Sequence, residues 1–203
     1  MVLELPRGLT LYFARHGQTV ANIEGRFQGR TIDTPLTDLG LKQAKALGTI
    51  MKREVRDMAL LDRVVSPMNR AKRTMSIALS AFEPPPLGYR TDERILEINL
   101  GAWDGLTAAE ARALDPEAYE RRENDKWTVR VPGGGENYAD VAARAEAFIH
   151  DLKGDTFAIS HGAFTRVLRG LFKGLNWKQM SNLDEPQGCV FQAKGNAVER
   201  LDP

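Results

Sequence analysis

The amino-acid sequence predicts a three-layer α/β/α sandwich with a mostly parallel central sheet. Short runs of consecutive apolar residues alternate along the chain with segments whose apolar residues recur at helical spacing. Strands that are apolar on both faces are typical of a parallel sheet covered by helices on both sides. No linker-like segment or change in composition divides the 203 residues, so we expect one domain spanning residues 1–203.

The first half of the chain supplies two strand–helix pairs. Residues 11–14 form an apolar strand, and Thr37 is the expected N-cap of the helix that follows. Residues 64–65 predict a second strand, after which Ser66 is expected to cap a helix with Pro67 at its first position. The predicted buried stripes of these helices are Ala44, Leu47, Ile50 and Met51, and then Ala71, Met75, Ala78, Leu79 and Phe82.

The second half continues the alternation. A third strand at residues 156–159 lies between two amphipathic helices, whose stripes are Tyr138, Val141, Ala145, Phe148, Ile149 and Leu152, and Phe164, Val167, Leu168, Leu171 and Phe172. Residues 188–201 predict a hairpin at the edge of the sheet, with Cys189 as a small core residue in its first strand. An exposed edge of this kind could pair two copies in a homodimer.

Composition excludes several classes of protein. A formal net charge of +1 argues against a general binder of nucleic acid or of anionic membranes. With 42% hydrophobic and 27% charged residues, the chain is expected to fold rather than remain disordered. The single cysteine, the lack of an apolar run of about 18 residues and the lack of a signal-peptide pattern predict a cytoplasmic protein without a membrane partner.

Unusual residues follow all three predicted parallel strands. His16, in an Arg-His-Gly triplet, follows the first, Arg70 opens the helix after the second, and His161, in a Ser-His-Gly triplet, follows the third. The carboxyl ends of parallel strands meet at one edge of a sheet, where ligands bind. Arginine forks and helix N-termini suit phosphate oxygens, and a neutral imidazole is a competent nucleophile. The sequence therefore predicts a phosphate site containing two imidazoles; no histidine has zinc-ligand spacing.

The residues around these junctions resemble a known family. The stretch LYFARHGQTVAN, with Asn22 six residues beyond His16, resembles the signature of the histidine phosphatase superfamily, the phosphoglycerate mutase-like two-histidine phosphatases of branch 1. The segments SPMNRAKRT, LEINLGAWDG, PGGGENYADVAAR and AISHGAFTR resemble further motifs of that family in the same order. Five ordered motifs, from Leu11 to about Arg166, are far more specific than one tripeptide.

The resemblance implies a phosphoglycerate mutase-like fold, a small-molecule phosphate ester as substrate, and no metal or cofactor. It implies that His16 becomes a phosphohistidine, that Arg15 and Arg70 clamp the phosphoryl oxygens, and that His161 stabilises the transition state. Glu97 would protonate the leaving alcohol and then activate water. The other phosphate- or substrate-binding residues that it implies are Asn22, Gly162, Thr19 and Gln28.

Three functions remain open within this resemblance. The first is a phosphomonoesterase acting on a sugar phosphate, a phosphoglycerate, a nucleotide-derived phosphate or α-ribazole phosphate. The second is a 2,3-bisphosphoglycerate-dependent phosphoglycerate mutase, and the third is a catalytically silent phosphate-binding protein. Only 36 positions separate Glu97 from Gly133, which favours the phosphatase. The roles of several rim candidates stay open at this stage: Arg26, Arg30, Arg121, Arg122, Lys126 and Trp103.

Overall fold

A mixed six-stranded sheet forms the middle layer of the molecule. The computed structural model describes residues 2–203. The strands are β1 (Thr10–Arg15), β2 (Asp62–Val65), β3 (Arg90–Thr91), β4 (Thr156–Ser160), β5 (Val190–Lys194) and β6 (Ala197–Leu201). Their order across the sheet is β3-β2-β4-β1-β5-β6. The pairs β3–β2, β2–β4 and β4–β1 are parallel, whereas β5 and β6 add to the sheet as an antiparallel hairpin.

Helices cover both faces of this sheet. Within residues 2–203 they are α1 (Val20–Ile23), α2 (Asp38–Glu54), α3 (Asn69–Leu79), α4 (Ala108–Leu114), α5 (Pro116–Asn124), α6 (Tyr138–His150), α7 (Gly162–Phe172) and α8 (Trp177–Ser181). Successive side chains of β1 point to opposite faces, as a strand requires. Leu11 and Phe13 join the core beneath α6 and α7, whereas Tyr12 and Ala14 join the core beneath α2 and α3. The predicted three-layer α/β/α fold is confirmed.

Most of the predicted elements are present. The Thr37 hydroxyl accepts the backbone N–H of Gly40 at 3.0 Å, which confirms it as the N-cap of α2. The hairpin at residues 190–201 is also confirmed, although Cys189 lies just before β5, and β6 is the strand at the edge. Cys189 is buried in the core, and this burial raises the pKa of its thiol. Whether β6 pairs two copies of the chain stays a prediction.

The predicted start of α3 is wrong. This helix begins at Asn69, and its N-cap Met68 makes no side-chain hydrogen bond. The carboxylate of Asp33, on a distant loop, instead accepts the backbone N–H of Asn69 at 2.5 Å. The Ser66 hydroxyl is thereby free to contact His161. The helix also ends before Phe82, which is only half-buried.

A smaller third core lies apart from the two faces of the sheet. It joins Trp103 to Ala111 of α4, Ala118 of α5 and Val131. Trp103 packs against Phe27 and Tyr119, with ring centroids 6.4 and 5.4 Å apart. No helix within residues 2–203 combines the length and apolar character that crossing a bilayer requires.

Candidate active site

His16 lies at the carboxyl end of β1, and its ring is held in one tautomer. Its backbone N–H donates to the Ser160 carbonyl on β4 at 3.0 Å. The ring Nδ1 lies 2.8 Å from the Gly17 carbonyl oxygen. Because a carbonyl only accepts hydrogen bonds, Nδ1 carries the proton and Nε2 keeps its lone pair. The fold thus places an imidazole nitrogen with a free lone pair at the end of a central strand.

The loop after His16 is fixed by a close backbone approach that glycine permits. A Cβ on Gly17 would collide with the carbonyl oxygen of Gly40, and a Cβ on Gly40 would collide with that of Gln18. The Gly17 N–H donates to the Thr74 hydroxyl on α3 at 3.1 Å. The loop is therefore held against the first turn of α2, and the imidazole of His16 cannot turn freely.

His161 stands beside His16 at the end of β4. The two ring centroids are 5.2 Å apart, with an interplanar angle of 65°. Its Nε2 lies 2.6 Å from the Ser66 hydroxyl, which was not recognised in the sequence as a partner. Its buried Nδ1 has no hydrogen-bond partner among the described residues 2–203. When the Ser66 hydroxyl donates to Nε2, Nδ1 carries the proton and is free to donate it to an anion.

Both imidazoles are neutral at neutral pH. Burial, reinforced by the positive charges of Arg15 and Arg70, lowers the pKa of His16 well below its usual range. Burial and the charge of Arg70 lower the pKa of His161 in the same way. A neutral His16 is the form in which Nε2 can act as a nucleophile.

Two arginines supply positive charge next to the imidazoles. The Nη1 of Arg15 donates to the Glu185 carbonyl at 2.8 Å. The side chain of Arg70 is fully buried, and it donates to the Gly29 carbonyl at 2.7 Å and to the Asp33 carboxylate at 3.2 Å. In both arginines Nε is buried and has no acceptor within the described part of the chain. Both guanidinium groups therefore retain a donor for an anion.

Glu97 lies at the N-terminus of α7. Its carboxylate accepts the backbone N–H groups of Ile98, Ala163 and Phe164 at 2.9, 3.1 and 3.3 Å. Burial, together with the negative charge of Glu185, raises its pKa. The cationic side chains whose charges act on this carboxylate are Arg15, Arg70, Arg144 and Arg166. A carboxyl with a raised pKa is suited to give and take a proton.

A half-buried ion-pair network holds the Glu97 segment in place. Glu136 pairs with Arg30 at 2.7 Å and with Arg144 at 3.1 Å. Arg30 donates to the Glu97 carbonyl at 2.8 Å, and Arg144 donates to the Leu96 carbonyl at 3.0 Å. Arg30 thus has a positioning role. Glu136 and Arg144 were missed as members of the site, although both lie in the quoted PGGGENYADVAAR segment.

A cavity of about 340 Å³ opens next to His16. Its lining includes five of the predicted site residues, namely Arg15, His16, Asn22, Gln28 and Glu97. Arg70 and His161 are buried outside this lining. The side-chain oxygen of Asn22 accepts a hydrogen bond at 3.2 Å from the amide of Gln187. Gln187 was not recognised in the sequence as a partner.

The structure gives Thr19 and Gln28 internal partners. The Thr19 hydroxyl donates to the Gln28 amide oxygen at 2.8 Å, and the Gln28 amide nitrogen donates to Thr34 at 3.1 Å. Thr19 is fully buried and also caps α1. These contacts point to a structural role for both residues, whereas the phosphate contacts expected of them stay a prediction.

Apolar side chains and Arg122 line the same cavity. Phe27, Leu100, Trp103, Val131 and Tyr138 form the walls. Arg122 lies over the Tyr138 ring at 5.3 Å, and its buried Nε and Nη1 find no acceptor within residues 2–203.

Neighbouring charges at the rim are paired. Arg26 contacts Glu110 at 2.9 Å, Lys126 contacts Glu123 at 3.0 Å, and the exposed Arg121 lies 3.9 Å from Glu117. Of the adjacent arginines 121 and 122, only Arg122 lines the cavity. No group of three or more His, Cys, Asp or Glu side chains within residues 2–203 is arranged to hold a metal ion.

Comparison with known proteins agrees with this geometry. The sequence model of the histidine phosphatase superfamily (branch 1) matches residues 11–197. The chain belongs to this superfamily. The resemblance stated from the five motifs is therefore confirmed. The histidine phosphatase match runs from the second residue of β1 to the first residue of β6.

Individual histidine phosphatase relatives differ in length. The chain is 38% identical over 147 residues to a glucosyl-3-phosphoglycerate phosphatase of Mycobacterium tuberculosis, covering 72% of this chain and 61% of that protein. It is 32% identical over 190 residues to a 6-phosphofructo-2-kinase/fructose-2,6-bisphosphatase of Arabidopsis thaliana, covering 92% of this chain but only 24% of that protein. The structure of a mycobacterial glucosyl-3-phosphoglycerate phosphatase with VO3 superposes with a TM-score of 0.76 at 29% identity, covering 97% and 98% of the two chains.

Proposed function

We propose that this chain is a metal-independent phosphomonoesterase that hydrolyses a small phosphate ester through a phosphohistidine on His16. One observation carries the proposal. His16 keeps a free Nε2, its ring centroid lies 5.2 Å from that of His161, and the charges of two arginines act on it. Three buried donors of these neighbours find no acceptor in the described chain: Arg15 Nε, Arg70 Nε and His161 Nδ1. Buried donors without partners are unfavourable, and phosphoryl oxygens would satisfy all three.

The positions of His16 and Glu97 at the same cavity support the following reaction. The lone pair on His16 Nε2 attacks phosphorus, the bond from phosphorus to the ester oxygen breaks, and protonated Glu97 gives its proton to the departing alcohol. Water then attacks the phosphohistidine, Glu97 takes the proton from water, and the N–P bond breaks with its electron pair returning to Nε2. The two arginines and His161 stabilise the charge on the phosphoryl oxygens in both steps.

The lining of the cavity favours a leaving group that carries an anionic substituent. Arg122 lies there as a buried guanidinium without a carboxylate partner in residues 2–203, next to the apolar walls formed by Trp103 and Tyr138. A carboxylate on the alcohol portion of the ester would pair with it. The name of the mycobacterial relative supports phosphatase chemistry for the superfamily member described here.

Trapping of the covalent intermediate tests the mechanism. The wild-type protein is mixed with a radiolabelled phosphate ester and quenched in denaturant. A label that is stable in alkali and lost in acid identifies a phosphohistidine. We expect label on His16, none in His16→Ala, and full labelling in the matched control His150→Ala, whose side chain is exposed at the end of α6. Label that persists in His16→Ala would remove the nucleophile from the proposal.

Steady-state kinetics on adjacent arginines test the substrate class. Because a hydrogen bond to a charged group contributes about 1.5–3 kcal/mol, Arg122→Gln should raise KM for a carboxylate-bearing ester roughly 10- to 100-fold. Arg121→Gln, next to it on the exposed face of α5, should have no effect. Equal losses on p-nitrophenyl phosphate would contradict a leaving-group role. The panel includes 3-phosphoglycerate with 2,3-bisphosphoglycerate, where interconversion without phosphate release would assign a mutase instead.

A further inference from the structure

Glu185 places a second carboxylate in the cavity that the proposed reaction does not use. It lies between α8 and β5 and lines the cavity together with Glu97. Its carboxylate contacts Arg15 Nη1 at 3.5 Å through one oxygen and Arg166 Nη2 at 3.2 Å through the other. Its backbone carbonyl accepts a further hydrogen bond from Arg15 at 2.8 Å. The predicted phosphate-binding arginine is therefore held by an internal anion.

The same carboxylate rests on the start of α7. A Cβ built on Gly162, the first residue of this eleven-residue helix, would lie only 2.5 Å from a Glu185 carboxylate oxygen. Helix N-termini attract anions, because their N–H groups are unpaired and the helix dipole is positive there. Glu97 already accepts the N–H groups of Ala163 and Phe164. Glu185 thus lies among Arg15, the α7 N-terminus and Glu97, where a phosphate oxygen would also be attracted.

We propose that Glu185 competes with the phosphate group for Arg15 and the N-terminus of α7, and so weakens the binding of inorganic phosphate. This inference rests on the proposed function only in taking Arg15 as a phosphate ligand. When phosphate binds, its negative charge replaces or adjoins that of Glu185, and the two anions repel each other. After hydrolysis the same competition favours release of the product phosphate. Glu185 therefore disfavours tight binding of the free phosphate anion.

The expected change in phosphate affinity follows from the solvent exposure of the Arg15–Glu185 ion pair. The side chains of Arg15 and Glu185 are 16% and 25% exposed, so solvent screens their interaction only in part. Partly exposed ion pairs contribute up to about 1 kcal/mol, which corresponds to a several-fold change in affinity. Replacing the carboxylate by an amide of the same shape removes the charge and keeps most of the packing.

Calorimetric titration with inorganic phosphate tests the competition directly. We expect Glu185→Gln to bind phosphate about two- to fivefold more tightly than wild type. The matched control is Glu54→Gln at the end of α2, because Glu54 is 23% exposed and pairs with Arg53 at 2.9 Å, outside the cavity lining. The control should bind phosphate as wild type does.

The direction of the change separates competition from a structural role. If Glu185 merely anchors Arg15, its replacement should weaken phosphate binding, and an unchanged or higher Kd would overturn the inference. Should wild type trap label on His16 while Glu185→Gln leaves the Kd unchanged, only the competition fails. Absence of phosphate binding in wild type and in both variants would overturn the phosphate site itself, and the competition with it.

Discussion

Replacing Asp33 by alanine should both destabilise the protein and displace the Arg70 side chain. The Asp33 carboxylate caps α3 through the backbone N–H of Asn69, and it also bonds the Arg70 guanidinium at 3.2 Å. The Arg70 side chain is completely buried and that of Asp33 is 17% exposed. Water therefore has little access to replace the lost contact, and the change removes a helix cap and a buried charged partner at once.

The magnitude can be assembled from these two losses. An N-cap contributes about 1 kcal/mol, and a hydrogen bond to a charged group contributes about 1.5–3 kcal/mol. We therefore expect Asp33→Ala to lower the free energy of unfolding by about 2.5–4 kcal/mol. In a chain of this length each kcal/mol lowers Tm by about 2–4 °C, so Tm should fall by about 5–16 °C.

Denaturant titration measures the free energy of unfolding of Asp33→Ala and of the control variant Asp115→Ala. Asp115 caps α5 through the backbone N–H of Ala118 at 2.9 Å, it is exposed, and it forms no ion pair in residues 2–203. Asp115→Ala should lose only the cap, about 1 kcal/mol. Activity should fall only in Asp33→Ala, because Arg70 loses its alignment there. Equal losses of stability in the two variants would refute a stabilising contact between Asp33 and buried Arg70.

Three further outcomes follow from the site and the core. Glu97→Gln should slow the formation of phosphohistidine from esters with poor leaving groups by about 10²- to 10⁴-fold, while sparing its formation from p-nitrophenyl phosphate, whose leaving group needs little protonation. Glu185→Gln should shift the alkaline limb of the rate profile to lower pH, because the negative charge of Glu185 helps to raise the pKa of Glu97. Gly48→Ala should lower stability by about 1–3 kcal/mol, since a Cβ there would collide with the Ala78 carbonyl on α3. The control Gly154→Ala should not lower stability, because a Cβ at that position would meet no atom within 4 Å.

Each of these outcomes has a measurement that can contradict it. Equal slowing of the phosphorylation burst with both ester types in Glu97→Gln would indicate a positioning role rather than proton transfer to the leaving group. An unmoved alkaline limb in Glu185→Gln would show that the carboxylate has no electrostatic effect on Glu97. Equal unfolding midpoints for the two glycine variants in urea would mean that α2 and α3 can separate without loss of stability.

The sequence allowed the central architecture and the meeting of the histidines to be predicted. Apolar strands dictate a parallel sheet, and a parallel sheet brings the ends of β1, β2 and β4 to one edge regardless of their distance along the chain. That is why His16 and His161 lie side by side although 145 positions separate them. Local signals such as the Thr37 cap were also sufficient.

Contacts made by loops could not be predicted in this way. Ser66-Pro67 has the local pattern of a helix start, but Asp33 arrives from another loop and caps α3 two residues later. Glu185 comes from a segment with neither periodicity nor a motif, and it reaches Arg15 across 170 positions. Such pairings depend on how loops lie over the finished sheet, which propensity and spacing do not encode.

The position of β1 in the sheet delays the pairing of this strand during synthesis of the chain. β1 ends at residue 15, but both of its partners, β4 and β5, begin only at residues 156 and 190. At about 5–20 residues per second, roughly 7–30 s pass before β4 leaves the ribosome. During that interval the apolar run Leu11–Ala14 has no strand to pair with, so a nascent chain halted before β4 should aggregate or engage a chaperone. Ribosome-bound chains of graded length would acquire protease resistance only after β4 and β5 have emerged.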